Sequence, residues 1–399
     1  PPLTPMFTMK GNIKERSIVL VTHSRIYSAS QALRDFLRER SCQNLLYISH
    51  PLPLADVADN EHSYAEASRG SKIFKRSAAV LRSRNVLVSS IIELFLTLWW
   101  VFKTKQTFDL FIGVDNLNAL EGLILKRLGR VGKVVYYTID YFPTRFAQGW
   151  LNRLYHAMDK FCVQHADETW NVSPVMVDAR KKFHNVTAAI GRQYMVPIGI
   201  WFDKTKRLPI AKIDRFKLIF SGHLLPHMGV DLLLEAMPDI VKEVPSVTLD
   251  IIGGGAELER LKMLAKRLNL PRRVHFFGWV ADRKRLEGLL TQAAVGVAPF
   301  NTDILDDKVK NADPGKLKDY MAAALAVVVT DAIANARELE EHRCALVVPY
   351  RKEALVRAIV RLLKDQKLLT EYRKHAADYV SRFDYNRIFS VHIDRVLAT

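Results

Sequence analysis

Between Asn311 and Asp331 the chain reads NADPGKLKDYMAAALAVVVTD, which is a turn, a helix start, a lysine, a carboxylate and a buried strand in that order. Asp313 can cap the helix and Pro314 fits its first turn. Unpaired backbone N–H groups, the positive end of the helix dipole and Lys316 then converge on one spot. That combination suits a diphosphate. Asp319 follows Lys316 by three positions on the same helix face, where a carboxylate can accept hydrogen bonds from ribose hydroxyls. Without context the same residues describe a plain Asp-Pro-Gly turn followed by two solvated side chains. The surrounding elements have to decide.

Those elements alternate. SIVLVTH (17–23), LLYISH (45–50), FDLFIGVD (108–115), KVVYYTID (133–140), ETWNVS (168–173) and QYMVPIG (193–199) read as strands. Most are separated by helical stretches, as in a parallel sheet covered on both faces. LLYISH runs into a Pro-rich loop. A charged, Pro-containing linker without clear period occupies 201–214, and a second alternation follows with FKLIFSG, VTLDIIGGG, VHFFGWV, AAVGVAPF, AVVVTD and CALVVPY as strands. The expectation is α/β: two doubly wound domains, 1–200 and 215–375, with a helical end, 376–399, returning to the first. Domains of that kind bind ligands at the carboxyl ends of their strands, here in a cleft between the two.

The composition is globular, with 399 residues, 49% hydrophobic and 25% charged. Cys42, Cys162 and Cys344 are too scattered for a disulfide framework or a cysteine zinc site, which fits a reducing, cytoplasmic setting. No secretion signal is read at the N-terminus. The formal net charge of +17 calls for an anionic partner. Nucleic acid is disfavoured, because no basic platform interleaved with aromatics stands out. The cluster Lys72, Lys75, Arg76, Arg82 and Arg84 runs instead into the apolar stretch 86–103, VLVSSIIELFLTLWWVFK, which carries Glu93 near its middle. Two readings stay open for it, a core helix packed on the sheet or a helix docked on an anionic membrane surface.

The ordered blocks FSGHLLPHMGVDLLLEAM, LDIIGGGAELERLKMLAKRLNLPRRVHFFGWV and GKLKDYMAAALAVVVTD resemble the donor-binding domain of GT-B glycosyltransferases, most of all glycosyltransferase family 4. VVYYTIDYF, HADETWNVSPVM and MVPIGIWFD resemble the acceptor domain of the same enzymes. The resemblance implies that Gly222, Asp313, Gly315, Lys316 and Asp319 line a nucleotide-sugar site and that the backbone at Trp279 and Val280 meets the nucleobase. It also shows departures. The Arg and Lys that usually hold the donor diphosphate correspond to His223 and Met228, and the paired glutamates to Asn311 and Asp319. Lys316 would then supply more of the charge that stabilises the leaving nucleotide, with His223 as a hydrogen-bond donor. Gly253, Gly254 and Gly255 read as a tight turn in preference to a ligand loop.

PGKLKDY is also similar to the corresponding segment of the glucuronosyltransferases of xanthan assembly, which place an aspartate in a first-domain turn. The matching residue is Asp140, at the end of KVVYYTID, where a base could take a proton from an acceptor hydroxyl. Such a base implies inversion at the anomeric carbon, whereas family 4 enzymes retain configuration, and both outcomes stay open. His23, Ser24 and Ser30, at the first strand-to-helix connection, face the same cleft mouth, with loop packing as their default. The resemblance implies a cofactor-free, metal-independent transferase acting on a lipid-linked or polysaccharide glycan acceptor at the cytoplasmic face of a membrane. Two alternatives are an epimerase of the same architecture and a nucleotide-sugar-binding protein without turnover.

Overall fold

The computed structural model describes residues 13–23, 27–51, 62–79, 83, 85–141, 143–184, 192–304 and 315–398. The chain divides into two compact units, one running to Ile198 and resuming at Tyr385, the other Gly199–Asp384.

The first unit is built on eight strands: β1 (Ser17–Thr22), β2 (Asn44–Ser49), β3 (Ser63–Arg69), β4 (Lys72–Ala79), β5 (Phe108–Val114), β6 (Val131–Thr138), β7 (Glu168–Asn171) and β8 (Gln193–Met195). Their order is β4-β3-β2-β1-β5-β6-β7-β8. Pairings from β2 to β8 are parallel, and β1, β5 and β6 are nearly continuous apolar runs because helices cover both faces. The covering helices are α1 (Ala29–Glu39), α2 (Val86–Lys103), α3 (Asn116–Arg127), α4 (Gly149–His165) and α5 (Pro174–His184). The antiparallel hairpin β3–β4 replaces what sequence pattern suggested was loop running into a basic approach to α2. Its turn passes through Gly70 at φ +54, and exposed Lys72, Lys75 and Arg76 keep its edge strand from pairing further. Arg82 and Arg84 lie outside the described residues.

The second unit carries β9 (Lys217–Ser221), β10 (Thr248–Ile252), β11 (Val274–Gly278), β12 (Val295–Ala298), β13 (Ala326–Thr330) and β14 (Ala345–Val348) in the order β11-β10-β9-β12-β13-β14. This is the third-second-first-fourth-fifth-sixth order of a dinucleotide-binding sheet, and its direction reverses between β9 and β12. Helices α6 (Val230–Glu243), α7 (Leu258–Arg267), α8 (Arg283–Thr291), α9 (Gly315–Ala322), α10 (Ala336–Glu341), α11 (Lys352–Lys364) and α12 (Gln366–Val380) accompany it. Amphipathic periodicity places them: α11 buries Leu355, Ile359, Leu362 and Leu363 and turns its charges outward.

The stretch 201–214 lies within the second unit. Phe202 N donates to the Asp384 carboxylate at 2.8 Å, and Arg373 reaches the Leu208 carbonyl at 2.9 Å. The helical C-terminus breaks at Ser381–Phe383, and only α13 (Tyr385–Ala398) belongs to the first unit. There Phe389 packs on Phe36, and Arg395 forms a two-pronged pair with Glu168.

Candidate functional site

In the second unit the candidate site sits at the strand ends where sheet order reverses. Gly222, just after β9, adopts φ +145, and a Cβ there would lie 2.9 Å from Lys316 Nζ. Gly253 explains its own identity. A Cβ on it would sit 1.8 Å from the Gly222 carbonyl, because the loops after β9 and β10 are zipped together by Gly222 N to Ile252 O at 2.9 Å and Leu224 N to Gly254 O at 2.9 Å. The glycine run thus serves backbone approach between loops, which supports the turn reading over direct ligand contact.

Lys316, in the first turn of α9, donates to Met228 Sδ at 3.2 Å. Its ammonium stands 4.5 Å from the Phe220 ring centroid and 5.0 Å from that of Phe300. The residue as a whole is half-buried, and the ammonium is the part facing two rings and a thioether. Among the described residues no anion pairs with it, and burial lowers its pKa from 10.5 to about 7. Met228, the position where relatives carry a cation, therefore contributes no competing positive charge. α9 is pinned by Tyr320, whose hydroxyl accepts from Ser221 N at 2.7 Å and whose ring lies under Gly296, where a Cβ would meet it at 2.5 Å.

Asp319 is engaged differently from the sequence expectation. Arg283, at the start of α8, grips its carboxylate with two bonds of 2.6 and 3.2 Å and also reaches Glu287 at 3.0 Å. A ribose would have to share or displace that partner. Sequence reading passed over Arg283 because its partner lies 36 positions away and only the packing of α8 beside α9 joins them. The His223 ring rests 5.4 Å from that of Trp279, which is exposed, while Val280 packs on the core around Ile219 and Ile252. Gly315 is exposed and opens α9. Asn311, Asp313 and Pro314 lie outside the described residues.

In the first unit the reversal falls between β1 and β5. His23 follows β1 but is buried, not open to a ligand: its Nε2 pairs with Glu93 at 2.9 Å and its Nδ1 lies 3.0 Å from Asn118 Nδ2. Ser30 is also buried, accepting from Thr22 Oγ1 at 3.1 Å, which is the loop packing given as its default. Ser24 lies outside the described residues. Asp140, after β6, is open to solvent. Partial desolvation pushes its carboxyl above the ordinary range and Arg145 pulls it back, with solvent tempering both. The end of β6 is held by Arg180, fully buried and bound to Asp159, Asn171 and Thr138, with its guanidinium 5.1 Å from the Tyr141 ring centroid.

Sequence reading also passed over Asp115. It ends β5 at φ +72, unusual for a residue with a side chain. Desolvation raises its carboxyl, His23 and Arg145 lower it, and Asp140 raises it further. Asp115 thus lies within electrostatic reach of Asp140, Arg145 and His23. The available signal was the position itself, a carboxylate at the carboxyl end of a strand beside the reversal. Among the described residues no group of three or more His, Cys, Asp or Glu side chains could hold a metal ion.

Comparison with known proteins gives the frame for this geometry. Residues 203–379 match the family Glycosyl transferases group 1. A phosphatidyl-myo-inositol mannosyltransferase of Mycolicibacterium smegmatis is 29% identical over 44% of this chain and 42% of its own length. The chain spans less than two thirds of the length of each of the first curated relatives it matches. Among solved structures, Anabaena HepE in complex with UDP superposes with a TM-score of 0.67 at 15% identity over 96% of this chain and 100% of that one. WaaG, a glycosyltransferase involved in lipopolysaccharide biosynthesis, gives a TM-score of 0.61 at 16% identity over 95% and 99%. The fold is accordingly that of the GT-B glycosyltransferases, and the match to Glycosyl transferases group 1 falls within the second unit.

Proposed function

We propose that this protein transfers a sugar from a nucleotide donor to a hydroxyl of a lipid-linked or polysaccharide glycan. The observation that carries the reading is the Lys316 ammonium, aimed at the glycine backbone of Gly222 where the order of a dinucleotide-type sheet reverses. Among the described residues no carboxylate pairs with this buried ammonium, which is costly unless an anion arrives, and a diphosphate restores the charge balance while gaining a donor for its departing oxygens. The roles follow from placement. Lys316 holds the diphosphate, the Gly222 and Gly315 backbones approach it, and His223 beside Trp279 lies on the nucleoside side. Asp319 with Arg283 borders the ribose, and Asp140, flanked by Asp115 and Arg145, handles the acceptor proton or the reacting sugar. No metal is required in this scheme, because Lys316 carries the leaving-group charge.

The UDP in the HepE complex and the phosphatidyl-inositol acceptor in the mannosyltransferase's name favour this over an epimerase or a binding protein without turnover. An acceptor of that class supports a reading in which the enzyme works at the cytoplasmic face of a membrane. The test is thermal stabilisation of the full chain by a panel of nucleoside diphosphates and their sugars, followed by donor hydrolysis in the presence of EDTA. One diphosphate raising the melting temperature by several degrees, with EDTA-insensitive hydrolysis of its sugar, is expected. No stabilisation by any member would overturn the reading, and loss of hydrolysis in EDTA would overturn metal independence.

A further inference from the structure

Helix α2 buries a polar row beside its core contacts and turns an apolar row outward. Its inward row is polar: Ser89, Glu93 and Thr97 recur every fourth residue and are buried. Glu93 pairs with His23 at 2.9 Å, and Thr97 bonds His50 Nε2 at 2.9 Å. The outward row is apolar: Leu87, Val88, Ile91, Phe95, Trp99 and Phe102 are exposed, Ile91 and Phe95 at 66% each. A helix covering the sheet of a water-soluble unit shows the opposite arrangement, as α11 does. Only 33% of α2 is buried, although its length and mean hydropathy of 1.7 would suffice to cross a membrane. The polar inward row, tied to β1 and β2 through His23 and His50, and Leu96, Trp100 and Val101 packed into the sheet core fix the helix along the surface of the unit and exclude a spanning placement.

The charge around this stripe is one-sided. Lys103 stacks on Trp99 at 4.2 Å and Arg130 on Phe102 at 4.8 Å, so cations border the apolar row. Exposed Lys72, Lys75 and Phe74 project from the adjoining edge strand β4. Between the hairpin and the C-terminal half of α2 opens a cavity of about 220 Å³ whose lining includes Arg69, Phe74, Lys75, Trp100 and Lys103. An apolar row at one level, cations beside it and a basic cavity within reach match a bilayer of acidic phospholipids: acyl chains take the row and a phosphate headgroup takes the cavity.

We propose that α2, with the β3–β4 hairpin, is the docking face of this protein for an anionic lipid surface, with α2 lying in the plane of the interface. This deepens the proposed function by supplying the surface that carries its acceptor. The experiment is co-sedimentation of the full chain with phosphatidylcholine vesicles and with vesicles containing phosphatidylglycerol, at low and high salt. Binding is expected only with the acidic lipid and is weakened by salt. Lys72→Glu/Lys75→Glu should lower it by at least about fivefold per charge. Ile91→Glu/Phe95→Glu, at solvent-exposed positions outside the candidate site, should lower it at least about tenfold with unchanged melting temperature. Equal binding to both vesicles, or binding indifferent to Ile91→Glu/Phe95→Glu, would overturn the proposal. So would a dimer in solution that dissolves in Ile91→Glu/Phe95→Glu while wild type ignores vesicles, since it would assign the face to a second copy. Nucleotide stabilisation is read separately in the absence of lipid, so failure of vesicle binding and failure of the transferase reading are distinguishable.

Discussion

In the second unit the candidate site is one cation on a scaffold of close-packed glycine loops, whereas in the first it is a set of carboxylates and histidines held by side-chain networks. Gly253 lets the loop at Gly222 close up and Gly222 brings backbone within reach of Lys316, which among the described residues meets aromatic rings and a thioether. Asp115 and Asp140 instead share Arg145 and stand beside strand ends braced by His23–Glu93 and Arg180–Asp159. Under the proposed function, that contrast divides the labour: the second unit receives the donor's charge and the first handles the acceptor's proton. A ligand that supplies an anion to Lys316 relieves the burial that depresses its ammonium, whereas in the first unit burial acts on carboxyls, raising those of Asp115 and Asp140.

Breaking the proton-handling half should give the largest effect. Asp140→Asn is expected to lower transfer by about 10²–10⁴-fold while nucleotide affinity stays within about twofold, measured by product formation and calorimetry on one preparation. Preserved transfer would remove Asp140 from the reaction and shift attention to Asp115. Gly222→Ala sharpens the other half. At φ +145 a side chain is strained, and its Cβ would press on Lys316 Nζ. The melting temperature should fall by roughly 5 °C and nucleotide affinity with it; unchanged values would mean that the loop relaxes freely. The smallest effect is expected for Asp319→Asn, because Arg283 already occupies that carboxylate. Nucleotide affinity should change by less than about tenfold, and a larger loss would show that the ribose displaces the arginine outright.

Much of the second unit was legible, since strand runs, glycine turns and amphipathic helices of one period specify a doubly wound sheet. Lys316 was legible too, because its lysine, turn and strand are neighbours in sequence. Three features were not. The β3–β4 hairpin hid in a polar, weakly alternating stretch whose only punctuation is the turn at Gly70. The Asp319–Arg283 pair depends on helices brought together by the sheet. The burial of His23 against Glu93 was not legible, because the two lie 70 positions apart and nothing in the sequence joins the acid inside the apolar stretch to the end of the first strand. Local chemistry could be read from the sequence, but side-chain pairing between distant elements could not.

The central claim is that Lys316 is held as a cation-in-waiting for a diphosphate, and its titration provides the test. In the free protein burial holds its pKa at about 7, below the ordinary 10.5, so the folded chain is penalised below pH 7 and relieved as pH rises toward the ordinary lysine value. A bound diphosphate favours the charged ammonium, so binding takes up a proton above pH 7. The decisive measurement is calorimetric affinity for the stabilising nucleoside diphosphate between about pH 7 and 9, for wild type and Lys316→Ala. Wild-type affinity should weaken by up to about tenfold per pH unit, and Lys316→Ala should bind at least about 10²-fold more weakly at pH 7 with no such slope. Equal affinities, or the same slope in both proteins, would contradict the account.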